Sequence, residues 1–295
     1  MSHRRDVAIA LNEELGVVVP EFQVGSNVAE GPVAVGRRLR EALRVSVEEQ
    51  QGWRDEWHAW RRWRSAVEDA GVLVFQFPKV SLDQARGVSL LHFPLPAIGI
   101  NSKEQSPGAR VFTLLHELAH VSLAIGRDEQ VALRERTDDE QWAEVERFAE
   151  EAASEAIIPA EALAVALRSM PPNAPWDVAR VRALAVKFRV TPLAMATRLR
   201  AAGTISWDGY RVWKSAWNDY VATLKPRGGG IATPVDKTLG RGGRPFAQLV
   251  LEALDANRIT AVEASQHLDL RFDHVDELRS ELRTWATGSG AGDHA

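Results

Sequence analysis

Five consecutive residues, His116-Glu117-Leu118-Ala119-His120, form an HExxH pattern. Positions four apart lie on one face of a helix, so both imidazoles can bind one metal ion. Zinc in such a site is bound by neutral imidazole nitrogens and keeps one position for water. Glu117 is adjacent and can accept a proton from that water. The pattern therefore predicts a hydrolytic site with one Zn²⁺ and with Glu117 as its catalytic base.

A third protein ligand is needed, and a carboxylate would complete a His₂Glu set. The acidic segment that follows offers six candidates: Glu140, Glu144, Glu146, Glu150, Glu151 and Glu155. His₂Glu sites also accept other divalent ions, so the metal itself stays open. Two other interpretations remain: a pair of exposed histidines on an amphipathic helix, and a site that binds metal without cutting.

Short strands and long helices must position these residues. Gly71, Gly87 and two prolines at 94 and 96 delimit strands at 72–77, 88–93 and 98–101. Helical patterns cover 36–69, 110–125 (with Gly126 as its stop), 138–158 (ending at Pro159) and 160–222. This order predicts a mainly helical α+β fold with a small antiparallel sheet.

Two segments, IGINSKEQSPGARVFTLLHELAH and EVERFAEEAASEAIIP, resemble the ImmA/IrrE-type metallopeptidases, a zincin-like family of bacterial and phage proteins. The family's second motif is Glu-x-x-small-Asn, followed by an Ala-rich stretch, apolar residues and Pro. Its glutamate falls on Glu146, its small residue on Ala149 and its proline on Pro159, while Glu150 replaces the usual Asn. The resemblance spans roughly 36–210. It implies that the metal ligands are His116, His120 and Glu146.

The resemblance also implies a function. Such proteins cut, or promote the cutting of, helix-turn-helix repressors, which relieves repression of phage, mobile-element or stress genes. We therefore expect a zinc-dependent endopeptidase that acts on a DNA-binding repressor or antitoxin-like regulator. That partner is expected to be a separate chain, since residues 1–35 are too short and weakly helical for a repressor domain. The alternative is a non-proteolytic regulator that binds DNA or a repressor and carries a structural or degenerate metal site.

Composition shifts predict the following organisation. The expected parts are a weakly structured N-terminal segment (1–35), a zincin-like peptidase domain (36–160), a helix-turn-helix-like module packed on it (161–224), a Gly-rich linker (225–245), a small C-terminal helical domain (246–285) and a disordered tail (286–295). Within the module, Thr191 is expected to cap a second helix that starts at Pro192.

Charge is unevenly distributed along the chain. The net charge is −4, but 127–161 holds 12 acids and four arginines, whereas 178–227 holds ten basic residues and two acids. The basic segment makes direct DNA contact through 180–203 a possible second activity. The chain has no cysteine, which excludes disulfides, Cys-ligated zinc and iron–sulfur clusters. It shows no signal peptide and no long apolar run, so we expect a cytoplasmic protein without a membrane partner.

Four tryptophans at 53, 57, 60 and 63 alternate with arginines. Such interleaving can bind single-stranded nucleic acid. Helical spacing, however, favours packing of these rings in the core.

Overall fold

A computed structural model describes residues 1–19, 21–125, 140–171, 174–224 and 232–288. Across these ranges the fold is mainly helical with one small sheet, as predicted. The elements in chain order are α1 (Ser2–Leu15), α2 (Pro32–Ala42), α3 (Val47–Gly52), α4 (Glu56–Asp69), β1 (Leu73–Phe77), β2 (Gly87–Leu90), β3 (Ala97–Asn101), α5 (Pro107–Ala124), α6 (Glu140–Ile157), α7 (Ala160–Arg168), α8 (Val178–Lys187), α9 (Pro192–Ala201), α10 (Trp207–Ala222), α11 (Pro234–Gly242), α12 (Arg244–Asp255), α13 (Ala261–Leu268) and α14 (Val275–Gly288). The predicted helix stop at Gly126 and helix start at 138 lie outside the described residues.

The sheet has the strand order β1-β3-β2. β2 and β3 are antiparallel, with Gly87 opposite Ile100, but β1 and β3 are parallel, with Leu73 opposite Ala97. The prediction of an antiparallel sheet is therefore wrong: the sheet is mixed. After β1 the chain forms β2 at the opposite edge of the sheet, and then β3 between β1 and β2. Hydrophobic periodicity does not predict this order of strands.

Alternating residues of the strands face two different cores. Val74, Ile98 and Ile100 join the core that contains α4 and α5. Phe75 and Ala97 join a second core, formed with α1 and α11 to α14. Since successive strand residues point to opposite faces, the sheet is covered by helices on both sides.

The N-terminal end of the chain forms a helix that was not predicted from the sequence. Residues 1–35 were expected to be weakly structured, but α1 is a regular helix whose Ala8 and Leu11 are buried in the second core. Its apolar residues form one continuous run, so helical periodicity is weak. Arg5 Nε also donates a hydrogen bond to the Leu95 carbonyl, at 2.7 Å.

The predicted Gly-rich linker and disordered tail are also partly helical. Thr233 and Asp236 form a capping box that starts α11 inside the predicted linker. Leu239, within this helix, is buried. Glycines at 240, 242 and 243 concealed this helix in the sequence. At the other end, α14 continues to Gly288. Residues 225–231 and 289–295 lie outside the described residues, and the division into domains remains a prediction.

The C-terminal end of α6 is buried, so its last carbonyl groups need hydrogen-bond donors. Three side chains from other helices supply them: Arg40 Nη1 to the carbonyl of Ala156 (2.7 Å), Gln50 Nε2 to that of Ile157 (3.1 Å) and Arg198 Nε to that of Ile158 (3.0 Å). The same turn carries Glu155, which is fully buried and pairs with Arg37 and Arg198. These contacts fix α6 against α2, α3 and α9.

The segment for which a helix-turn-helix-like module is predicted, 161–224, contributes side chains to this core. Phe188 and Val190 are buried, and Thr191 accepts a hydrogen bond from the Ala194 amide at 3.1 Å, which confirms the predicted cap. Along α10, successive aromatic rings lie 5.6–6.5 Å apart, and arginines of α8 and α9 lie over the two ends of the series: Trp207, Tyr210, Trp213, Trp217 and Tyr220, with Arg200 over Trp207 and Arg182 over Tyr220. The rings therefore contact one another and the arginines, and their exposure ranges from 2% at Trp213 to 61% at Trp207.

Three of the four interleaved tryptophans on and before α4, those at 53, 60 and 63, are buried in the core, as predicted. Trp57 is the exception, with 45% of its surface exposed. None of the helices in the described ranges is both long enough and apolar enough to cross a membrane.

Substitution of Gly36 tests the close packing of α2 on α6. A Cβ at this position would lie 2.5 Å from the Ala152 carbonyl oxygen and 2.8 Å from the Glu155 Cβ. We expect Gly36→Ala to lower the free energy of unfolding by about 1–3 kcal/mol, as overpacking commonly does. Urea denaturation measures this. Gly52→Ala is the matched control, because a Cβ there meets nothing within 4 Å. Equal stability of the two variants would contradict the packing.

Candidate metal centre

Helix α5 carries the HExxH pattern. Ser106 caps its N-terminus by accepting a hydrogen bond from the Ala109 amide at 3.3 Å, and Pro107 occupies the first helical position. The helix therefore begins before the predicted residue 110, and the Ser-Pro pair is the signal that was missed. Leu114, Leu115 and their neighbours bury the helix beneath the sheet. This burial fixes the direction in which both histidines point.

The structure brings the side chains of His116, His120 and Glu146 together. The two Nε2 atoms are 3.2 Å apart, and the Glu146 carboxylate oxygens lie 3.3 Å from His116 Nε2 and 3.2 Å from His120 Nε2. Ligand atoms bound tetrahedrally to zinc at 2.0–2.2 Å are about 3.3–3.5 Å from one another. These three donors therefore fit a single zinc ion.

The other five candidate acids do not reach this group. Glu155 is buried, but it pairs with Arg37 and Arg198 away from the histidines. Four side chains are exposed: Glu140, Glu144, Glu150 and Glu151. Among the described residues, the acid that joins the two imidazoles is thus Glu146 and not Glu150.

Electrostatics favour a cation between these side chains. Hydrogen bonds with His116 and His120 lower the pKa of Glu146 to about 2. Burial lowers the pKa of His116, but the hydrogen bond with Glu146 and the charges of Glu117, Glu146 and Glu150 outweigh it, so this pKa is raised. The site attracts positive charge, and a divalent ion can compete with a proton for the imidazole nitrogen.

Glu117 lies beside the three donors in a different environment. It is 8% exposed, and burial raises its pKa, while the nearby histidines and a hydrogen bond with Ser89 partly oppose the shift. Gly87, on the neighbouring strand β2, makes room for it: a Cβ there would lie 2.6 Å from the Glu117 Oε1 atom. From the sequence, Gly87 was predicted only to mark a strand boundary.

Aromatic rings flank both histidines. The ring of Phe112 lies 6.4 Å from that of His116 with an interplanar angle of 24°. The indole of Trp142, on α6, lies 5.7 Å from the imidazole of His120 at 11°, nearly parallel. Trp142 was not identified from the sequence, although it precedes Glu146 by one helical turn.

The segment 180–203, considered for DNA contact, forms α8 and α9 beside the metal centre's helix. A Cβ at Gly108, in the first turn of α5, would lie 3.0 Å from the Thr191 amide nitrogen, so the start of α9 packs on α5. Recognition helices contact DNA bases through their N-terminal residues. This packing argues against base contact by α9.

Glu146→Gln and Glu150→Gln compare the two acids directly. We expect about one zinc per chain in the wild type and in Glu150→Gln, but a large loss in Glu146→Gln, because an amide is a much weaker zinc ligand than a carboxylate. Elemental analysis of purified protein measures the metal content. Equal zinc in both variants would contradict the assignment of Glu146.

The raised pKa of Glu117 predicts a pH-dependent gain in stability on substitution. A buried carboxylate costs stability once it is ionised, so the cost is present above its pKa and disappears at lower pH. In chelator-treated protein, Glu117→Gln should therefore raise the free energy of unfolding more at pH 8 than at pH 5. Urea denaturation at both pH values tests this, with Glu150→Gln as the exposed control. A gain that does not depend on pH would refute the explanation.

Comparison with protein-family models gives a match over residues 67–200 to peptidase family M78, the IrrE N-terminal-like domain. A search of curated proteins finds no match. The matched range contains the whole sheet and the helices from α5 to α9, and with them His116, Glu117, His120 and Glu146. Residues 67–200 are therefore similar to the IrrE N-terminal-like peptidase domain, which agrees with the resemblance seen in the sequence.

Proposed function

We propose that this protein is a zinc-dependent endopeptidase that cleaves a helix-turn-helix repressor or an antitoxin-like regulator in the cytoplasm, relieving repression of phage, mobile-element or stress genes. The observation that carries the proposal is the approach of His116, His120 and Glu146 to within bonding range of one ion, with Glu117 beside them. The family match supports a metallopeptidase. The class of substrate comes from the resemblance to ImmA/IrrE-type proteins.

When bound, zinc would supply a water of lowered pKa and would polarise the scissile carbonyl. Glu117 then has two tasks: it accepts the proton of the attacking water and delivers it to the leaving amine. A carboxyl group performs both steps best when its pKa lies nearer to neutral than that of an exposed glutamate. The burial that raises the pKa of Glu117 provides this condition.

Strand β2 offers a place for the substrate backbone. It is one of the two edge strands of the sheet, it pairs with β3 on one side, and it starts at Gly87 beside Glu117. An extended peptide can add to such an edge through main-chain hydrogen bonds. This mode suits an exposed linker or loop of a regulator rather than a folded helix, and it would bring a peptide bond close to the metal centre.

The alternative, a regulator that binds DNA or a repressor without cutting, has weaker support. The start of α9 packs on α5, and the rings along α10 contact one another and two arginines. The start of α9 is thus not the free helix end that DNA recognition uses, and the rings of α10 engage one another, although Trp207 is 61% exposed. The peptidase proposal needs only the side chains that the structure already brings together.

Glu117→Gln tests the proposal. The amide cannot accept a proton, so we expect a hundredfold or greater loss of cleavage (roughly 10²–10⁴-fold for a general base) while zinc remains at about one per chain. The substrate to try first is a helix-turn-helix regulator encoded beside this chain's gene, with the fragments followed by gel electrophoresis and mass spectrometry.

Glu150→Gln is the control for that experiment, because it changes an exposed carboxylate on the neighbouring helix and should cleave like the wild type. If the regulator disappears equally fast with Glu117→Gln, a contaminating protease is responsible and the proposal fails. If Glu117→Gln and the wild type both bind the regulator and neither cuts it, the non-proteolytic alternative is correct.

A further inference from the structure

We infer that Trp142 is a positioning residue that holds the imidazole of His120 in its metal-binding orientation by stacking on it. The inference rests on the proposed function, since it takes His120 to be a metal ligand. The indole and the imidazole are nearly parallel, at 11°, with ring centroids 5.7 Å apart. His120 is thereby kept with its Nε2 atom 3.2 Å from Glu146.

Ligand histidines are usually oriented by a hydrogen bond from the ring nitrogen that does not bind the metal. The described residues provide no such bond here. The Nδ1 atom of His116 is buried without a partner, and the described contacts of the His120 ring nitrogens all involve Nε2, which faces His116 Nε2 and the Glu146 carboxylate. A different restraint must therefore fix the plane of each ring.

Aromatic faces supply that restraint. Phe112 flanks His116, and Trp142 flanks His120 more closely and more nearly parallel. The two imidazoles are themselves almost perpendicular, at 76°, so a rotation of either ring would separate its Nε2 atom from the shared site. The indole face opposes such a rotation of His120.

Trp142 also links this restraint to the third donor. It precedes Glu146 by four residues on α6, so both side chains lie on one helix face. Helix α6 thus contributes a donor atom and the ring that orients another donor. If the stacking is lost, His120 samples other rotamers in the metal-free protein, and binding must order the ring again, which weakens affinity.

The test compares Trp142→Phe with Trp142→Leu. Phenylalanine keeps a stacking face, whereas leucine keeps apolar volume without one. Zinc and cobalt dissociation constants are measured by competition with a chelator. We expect leucine to weaken binding by roughly tenfold, as loss of other outer-shell contacts does, and phenylalanine to stay within about threefold of the wild type. The visible absorption of bound cobalt should change with leucine only, because it reports ligand geometry.

Trp217→Leu is the matched control. Trp217 is also half-buried and also stacks on another ring, but it lies on α10, so its loss should leave metal affinity unchanged. Thermal unfolding of the metal-free variants shows whether each is folded, and Trp142→Met replaces the leucine variant if that one is not. Wild-type affinity in the non-aromatic variants would overturn the inference, as would equal weakening by phenylalanine and leucine.

These outcomes are separable from those of the proposed function. A wild-type protein that binds neither ion removes the metal centre and, with it, both ideas. If the wild type binds zinc and the leucine variant binds it less well, but no regulator is cut, the peptidase proposal fails and the role of Trp142 stands. If cleavage is found and the variants bind metal equally well, only the role of Trp142 fails.

Discussion

The structure depends on the hydrogen bonds that the last carbonyl groups of α6 accept at its buried end. A helix that ends inside a protein leaves carbonyl groups without partners, and each unpaired group costs about 1–3 kcal/mol. Arg40, Gln50 and Arg198 meet this demand from three other helices. Because these donors set both the depth and the direction of α6, they also set where Glu146 lies, almost three turns earlier on the same helix.

Two buried glutamates, Glu155 and Glu117, have different roles because their surroundings differ. Glu155 is enclosed with two arginines, Arg37 and Arg198, and it accepts a hydrogen bond from the Ala160 amide, so its charge is balanced within the fold. Glu117 is nearly as buried, but among the described residues no arginine or lysine pairs with it, and burial raises its pKa. A charge paired in this way holds helices together, whereas one left with histidines is available for proton transfer.

The sequence predicts local features well and long-range ones poorly. The i, i+4 spacing places His116 and His120 on one face of α5, and the cap at Thr191 follows from its neighbours alone. Selecting Glu146 among six acids required the family motif, because the choice depends on where α6 crosses α5. The parallel pairing of β1 with β3 and the stacking of Trp142 on His120 join residues distant in the chain, so no local pattern could reveal them. The start of α11 was readable from Thr233 and Asp236, but the glycines that follow obscured it.

The segment that matches the family model is smaller than the part of the chain that packs into the two cores. The matched range, 67–200, excludes α2 and α3, which supply Gly36, Arg40 and Gln50 to α6, and it also excludes α1 and α11 to α14, which cover the outer face of the sheet. A peptidase core reduced to residues 67–200 would expose two large apolar surfaces and would leave the end of α6 with Arg198 but without Arg40 and Gln50. In this protein, therefore, the flanking residues are not appendages added to a finished domain; they complete its interior.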